Sequence, residues 1–174
     1  MMLLTGKRIA LRALEPEDLT FLFEMENDER FWQVSNTHVP FSKYLLKNYI
    51  EQSHQDIYQA KQLRLVIEVQ SSEKAVGMID LFDFEPRHKR AGIGILIHPE
   101  HQQKGYASEA LALLVSYCFQ HLELHQLYAN ITSNNDASIA LFEKHLFKKI
   151  GVKKDWAFYN NTFTDEILYQ RIHD

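Results

Sequence analysis

The sequence predicts one mixed α/β domain, and three observations support this prediction. The predicted elements follow the order strand, two helices, three strands, helix, strand, helix, strand and strand, which interleaves helices with strands. The length of 174 residues lies within the range of one domain. Hydrophobic residues make up 45% of the chain and charged residues 24%, the balance of a packed globular protein. Because no repeat or linker divides it, we expect residues 1–174 to form a single domain.

A strand and two helices are predicted first. Residues 7–14 alternate apolar with polar or small side chains, as a half-buried strand does. Pro16 and the acidic residues after it are typical of a helix start, and we expect that helix to run through Met25. A connection around Pro40 then leads to a second predicted helix over 42–60.

A hairpin and a third strand of the sheet follow. Residues 63–69 and 75–84 are rich in β-forming side chains, and the turn-like stretch 71–74 separates them. Residues 91–98 are predicted as a further strand, which Pro99 ends.

The clearest helix is predicted over 104–121, where apolar residues recur at helical spacing. A strand over 127–131 precedes a shorter helix, for which Asn134 or Asn135 is a plausible N-cap. Closing strands are predicted near 147–154 and 165–172.

Composition excludes several classes of function. The formal net charge is −4 and the isoelectric point about 6.1, so the chain lacks the basic field that nucleic-acid binding uses. No apolar stretch approaches the length of a membrane span, and we expect neither membrane insertion nor secretion.

Cysteine and histidine content argues against disulfides and metals. The one cysteine, Cys118, lies in an apolar helical run and is expected to be a core residue in a cytoplasmic protein. His98 and His101 are three residues apart across Pro99, without a predicted helix to align them, so no metal site is expected.

The junction after the third sheet strand has the properties of an anion site. Gly105 allows close approach of backbone or ligand, and Ala107 keeps the next turn small. The helix start that follows presents unpaired N–H groups with partial positive charge, which suit a pyrophosphate. A lone glycine at such a junction is more often a turn device, so the wider pattern has to decide.

That wider pattern resembles a known family. Residues 102–107 read Gln-Gln-Lys-Gly-Tyr-Ala and resemble the Q/R-x-x-G-x-G/A acyl-CoA motif of the GNAT acetyltransferases. Residues 135–144 look like the helix of that family near the CoA arm, which begins with Asn and ends in Tyr/Phe-x-Lys. Phe147 stands where the closing Gly-Phe pair of the family falls.

The resemblance implies a GNAT fold, with a mostly antiparallel sheet splayed near its middle and helices on both faces. It also implies acetyl-CoA as co-substrate, no metal, and a backbone N–H of strand residues 95–97, with that of Ile97 as the candidate, polarising the thioester. The residues that it assigns to acetyl-CoA are Ile95, Leu96, Ile97, Gln102, Gln103, Lys104, Gly105, Tyr106, Ala107, Ser108, Asn135, Phe142 and Lys144.

Segments 11–14, 64–68 and 87–91 are similar to two related groups, the diamine/spermidine acetyltransferases and the ribosomal-protein N-terminal acetyltransferases. The similarity implies an N-acetyltransferase, most readily one that acts on a small-molecule amine such as spermidine. A protein N-terminus is the alternative acceptor, and a homo-oligomer is possible among such relatives.

Two departures from the family pattern concern catalysis. Phe142 replaces a tyrosine whose hydroxyl is thought to protonate the CoA thiolate, and a phenyl ring has no such proton. Gly92 and Gly94 stand where some relatives carry acids, so Asp80 becomes the candidate base, with a partly solvated strand residue as the alternative. These departures keep a non-catalytic acyl-CoA sensor open as a further hypothesis.

An acidic cluster in the first helical region is the candidate acceptor site. The cluster comprises Glu24, Glu26, Asp28 and Glu29 and would attract a cationic amine, with Glu24 and Glu26 as the candidate substrate residues, although such charge runs usually form solvated faces. Trp32 is expected either to line the acceptor cleft or to fill the core.

Overall fold

The computed structural model describes residues 3–174 and contains one seven-stranded sheet flanked by helices. The strands are β1 (Ile9–Arg12), β2 (Leu63–Val69), β3 (Lys74–Glu85), β4 (Arg90–Ile97), β5 (Gln126–Thr132), β6 (Lys148–Tyr159) and β7 (Thr162–Ile172). The helices are α1 (Leu19–Glu26), α2 (Glu29–Ser35), α3 (Lys43–Gln52), α4 (Ile57–Ala60), α5 (Tyr106–Gln120) and α6 (Asp136–Lys144). Single 3-10 turns occur at Pro16–Asp18, Pro86–His88 and Pro99–His101.

The predicted mixed fold is confirmed, with two differences in the helices. The segment predicted as one helix over 42–60 is two helices, because the Ser53 hydroxyl caps the Ile50 carbonyl and Asp56 starts a new N-cap with its carboxylate on the Tyr58 amide. A further helix, α2, was not predicted. Asp28 caps it by accepting from the Arg30 amide.

The sheet is antiparallel except between β4 and β5, and its spatial order is β1-β2-β3-β4-β5-β7-β6. The β4–β5 pair is parallel and is in register only at Arg90 with Gln126, Ala91 with Leu127 and Gly92 with Tyr128. Beyond these pairs the two strands separate. This divergence is the splay that the family resemblance implied.

The open edge of β4 presents backbone amides to the gap. The His98 N–H donates to the Val76 carbonyl of β3 at 2.8 Å. Because amides alternate in direction along a strand, the N–H groups of Ile97 and Ile95 point the other way, away from β3. They therefore face the space between β4 and β5.

Helices cover both faces of the sheet. Adjacent strand residues point to opposite faces. In β3, Ile79 belongs to the same core cluster as Leu111 of α5, whereas Met78 belongs to the cluster of Leu22 in α1 and Leu46 in α3. The two resulting cores hold the sheet between α5 and α6 on one side and α1–α3 on the other. Within residues 3–174, no helix is long and apolar enough to cross a membrane.

Candidate active site

The gap between β4 and β5 opens into a cleft with two adjoining cavities. One, about 500 Å³, is lined by the loop before α5, and we call it the loop cavity. The other, about 780 Å³, is lined by the end of the β6–β7 hairpin, and we call it the hairpin cavity. Val34, Ile95, Asn135 and Ser138 line both. The cavities are therefore two halves of one cleft that meet at the open edge of β4.

The loop cavity is built to receive an anion. Gln103 and Gly105 have left-handed backbones, with φ of 60° and 82°, and Gly105 is the N-cap of the 15-residue helix α5. The first N–H groups of a helix lack intrahelical acceptors and carry the positive end of its dipole. In α5 these groups start at Tyr106, which lines the cavity.

Arg8 holds this loop from the edge of the sheet. Its Nη1 donates to the Lys104 carbonyl at 2.7 Å, and its guanidinium lies over the Tyr106 ring, 5.0 Å from the centroid. Its Nε and backbone N–H donate to Glu109 at 3.0 and 2.8 Å. Sequence reasoning missed both Arg8 and Glu109, since nothing in the local pattern links β1 to α5.

The hydrogen bonds from Arg8 also fix the charge of Glu109. Burial alone would raise the pKa of this carboxyl, but the hydrogen bonds from the Arg8 backbone and side chain, with a further one from the Ile9 backbone, bring the pKa below its ordinary value. Glu109 is therefore an anion at neutral pH and a firm anchor for Arg8.

The hairpin cavity combines aromatic walls with a few carboxylates. Its aromatic lining comprises Trp32, Phe142, Trp156, Phe158 and Tyr159, and its acids are Glu29 and Glu166. Of the two places expected for Trp32, the cleft and the core, the structure puts it in the lining of the cleft. Its indole N–H donates to the Glu26 carbonyl at 3.0 Å. Such a cavity can hold an aliphatic or aromatic group that carries a positive charge.

Asp80 and Glu26 lie elsewhere, around Arg64. Arg64 donates from Nε to Asp80 Oδ1 at 2.8 Å and from Nη2 to Oδ2 at 2.7 Å, and its Nη1 bonds Glu26. Protonation of Asp80 would break this bidentate, charge-assisted pair. Neither carboxylate lines either cavity, and exposed Glu24 does not either. The geometry therefore does not support Asp80 as the base or the α1 acids as the acceptor site.

Comparison with known proteins decides the family. Residues 8–148 match the acetyltransferase (GNAT) domain family. The chain belongs to this family. It is an acetyl-CoA-dependent N-acetyltransferase, so the alternative of a non-catalytic sensor is set aside.

Its relatives include polyamine enzymes. The spermidine N(1)-acetyltransferase of Escherichia coli (strain K12) is 30% identical over 162 residues, which cover 91% of this chain and 83% of that protein. The crystal structure of spermidine N-acetyltransferase from Vibrio cholerae in complex with CoA and spermine superposes with a TM-score of 0.87 at 25% identity and covers 96% of both chains. A dodecameric structure of the Vibrio cholerae enzyme has a TM-score of 0.80 at 25% identity, covering 96% of this chain and 95% of that one.

This acetyltransferase uses acetyl-CoA, as its family does, and most residues that the resemblance assigns to it lie around the loop cavity. The residues assigned to the co-substrate line the loop cavity except for Lys104, Phe142 and Lys144. Lys104 contributes its carbonyl to Arg8 instead. Phe142 lines the hairpin cavity, where it is buried and meets Phe147 edge-on with ring centroids 5.0 Å apart. Lys144 lines neither cavity.

One further contact of the enzyme's loop was not predicted. Ser108 lies in the first turn of α5, and its Oγ is 2.8 Å from Nε2 of His145, the residue just after the end of α6. Burial lowers the pKa of His145, and the nearby charges of Lys144 and Arg171 lower it further. A neutral imidazole therefore ties the first turn of α5 to the C-terminus of α6.

Proposed function

We propose that the enzyme acetylates a primary amine of an aliphatic polyamine such as spermidine. The observation that carries this proposal is the hairpin cavity, which adjoins the loop cavity and pairs aromatic walls with the carboxylates of Glu29 and Glu166. Aromatic faces attract ammonium groups and bury methylene stems, and carboxylates pair with the remaining charges. The similarity to spermidine acetyltransferases supports the same substrate class.

The loop and the open strand would hold the acyl donor. Acetyl-CoA supplies an acetyl thioester. The unpaired amides at the start of α5 suit its pyrophosphate, and the N–H groups of Ile95 and Ile97 face the gap where the thioester oxygen would lie. These strand amides would stabilise the negative charge that develops on that oxygen during attack.

Glu166 replaces Asp80 as our candidate base. It lines the hairpin cavity from β7, and Lys153 Nζ donates to its Oε1 at 3.0 Å, which leaves Oε2 for a proton. The bound ammonium first gives one proton to Glu166, which passes it to solvent, because only the free amine has a lone pair for attack. The amine nitrogen then forms a bond to the acetyl carbon, the carbon–sulfur bond breaks, and the second nitrogen proton passes to Glu166. The departing thiolate takes its proton from solvent, because Phe142 has none to give.

A panel of amines tests this proposal. CoA release is followed with a thiol reagent in the presence of acetyl-CoA and spermidine, putrescine, lysine or a short N-terminal peptide. We expect release with spermidine, and a strong loss of kcat in Glu166→Gln but not in Glu24→Gln, since Glu24 is exposed and lies outside the cleft. Turnover of the peptide with no polyamine acetylated would overturn the substrate class and favour a protein N-terminus as acceptor.

A homo-oligomer and a cytoplasmic location belong to the same proposal. Trp156, Phe158 and Phe163 near the end of the β6–β7 hairpin are each about 60% exposed, and β6 is an edge strand. The dodecameric relative supports assembly. Light scattering on the intact protein tests the homo-oligomer, and a monomer at all concentrations would contradict it.

The single buried cysteine supports a reducing compartment.

A further inference from the structure

The 3-10 turn Pro99–His101 brings the rings of His98 and His101 close together, although the sequence predicts no helix that would align them. A 3-10 helix has about three residues per turn, so side chains three apart lie on the same side. His98 is the N-cap of this turn and His101 ends it, and their ring centroids are 5.8 Å apart. The expectation that no helix aligns these two side chains was therefore wrong.

Glu100 completes a set of three possible ligands. One donor atom each from His98, Glu100 and His101 lies within 4.8 Å of the other two. The His98 ring accepts one long hydrogen bond, 3.3 Å from the Glu100 backbone N–H to Nδ1. Within residues 3–174, the His101 ring and the Glu100 carboxylate make no hydrogen bond that would have to break.

The charges around this cluster permit a cation. Lys74 and Lys104 lie close enough to His101 for their charges to act on its ring, and they oppose a cation. The carboxylate of Glu100 favours one, and Asp28 lies close enough to His98 to add a second negative charge nearby.

We propose that His98, Glu100 and His101 bind a zinc-type divalent ion at the rim of the loop cavity. Two imidazoles and one carboxylate form a common zinc ligand set, whereas Mg²⁺ and Ca²⁺ prefer sites made of oxygen atoms. His101 lines the loop cavity, so the ion would lie beside the acetyl-CoA site. Acetyl transfer in this family needs no metal. The ion would be an accessory ligand, and the inference does not depend on the proposed acceptor.

Calorimetric titration of the intact protein with ZnCl₂, and separately with MgCl₂, tests this inference. We expect one equivalent of zinc to bind and magnesium not to bind. His101→Gln and Glu100→Gln should each weaken zinc binding by at least about tenfold. The matched control is His121→Gln, which removes a histidine stacked on Tyr117 in a different part of the chain.

Thermal unfolding in the presence of EDTA checks that each variant is folded. His101→Gln is the safest variant, because the ring of His98 accepts a backbone hydrogen bond and that of His101 does not. The inference is overturned if wild-type protein fails to bind zinc at concentrations up to about 1 mM. It is also overturned if folded His101→Gln binds zinc as tightly as the wild type, or if magnesium binds equally well.

Discussion

Arg8 and Glu109 are 101 residues apart in the sequence, yet the Arg8 backbone N–H and Nε donate to the two carboxylate oxygens of Glu109 at 2.8 and 3.0 Å. The same guanidinium donates to the Lys104 carbonyl. One residue at the sheet edge thus fixes both the loop before α5 and the first turn of α5. We call this pair of contacts the strap between Arg8 and Glu109, and the position of the amides proposed to bind the pyrophosphate depends on it.

Replacing Arg8 should impair acetyl-CoA binding more than catalysis. In Arg8→Gln we expect KM for acetyl-CoA to rise about tenfold with kcat changed less than twofold, because the loop amides are mispositioned while the open strand is intact. Steady-state kinetics at saturating amine measure both constants. Arg8→Lys should recover only part of the effect, since lysine lacks the planar fork.

Lys7→Gln is the matched control for Arg8→Gln, because Lys7 is the exposed neighbour of Arg8. It should leave KM unchanged. If Arg8→Gln instead lowered kcat and left KM for acetyl-CoA unchanged, the positioning role of Arg8 would be contradicted.

Glu109 should make stability depend on acid pH. Its pKa in the folded protein is depressed below the ordinary value of 4.5, so its contribution to the free energy of unfolding is fully present above that value. The contribution is lost as the pH falls through the folded pKa. The difference in unfolding free energy between wild type and Glu109→Gln in urea should therefore be full at pH 7 and should shrink as the pH falls from 4.5 through the folded pKa. A difference that stays the same across this range would exclude this linkage.

A side chain at position 105 should damage the loop. Gly105 has φ of 82°, and a Cβ built there lies 3.0 Å from Arg8 Nη2. We expect Gly105→Ala to cost about 1 kcal/mol of stability and to raise the dissociation constant for CoA. Gly151→Ala is the control, since nothing lies within 4 Å of its Cβ and its φ is not positive. Equal CoA affinity in the two variants would show that the left-handed residue is dispensable.

Restoring a hydroxyl at position 142 should accelerate turnover. Phe142 is 3% exposed and lines the cleft, so Phe142→Tyr adds a hydroxyl that can protonate the CoA thiolate. Because a thiol leaves readily without help, the expected gain in kcat is modest, about tenfold rather than the larger effects of general acids. Phe147→Tyr, which places the hydroxyl on the neighbouring ring instead, should give no gain in kcat. An unchanged kcat in folded Phe142→Tyr would mean that thiolate protonation does not limit the rate.

Local features were predictable from the sequence and long-range contacts were not. The loop motif over 102–107 predicted the loop cavity, because strand end, glycine turn and helix start are adjacent in the chain. The geometry does not support Asp80 as the base, and strand alternation could not reveal that Arg64 donates to both of its oxygens. The strap between Arg8 and Glu109 joins segments too distant for any local pattern to connect.

The early separation of β4 from β5 leaves the N–H groups of Ile95 and Ile97 facing the cleft, so the polarising groups of the proposed mechanism would belong to the main chain. Substitution of Ile95 or Ile97 by another apolar residue leaves their N–H groups in place, and only proline deletes them. Under the proposed mechanism, natural variation at these two positions would be free to follow the neighbouring core, because the contact to the thioester would persist whichever apolar side chain is present. A search for invariant side chains would then overlook this part of the proposed site.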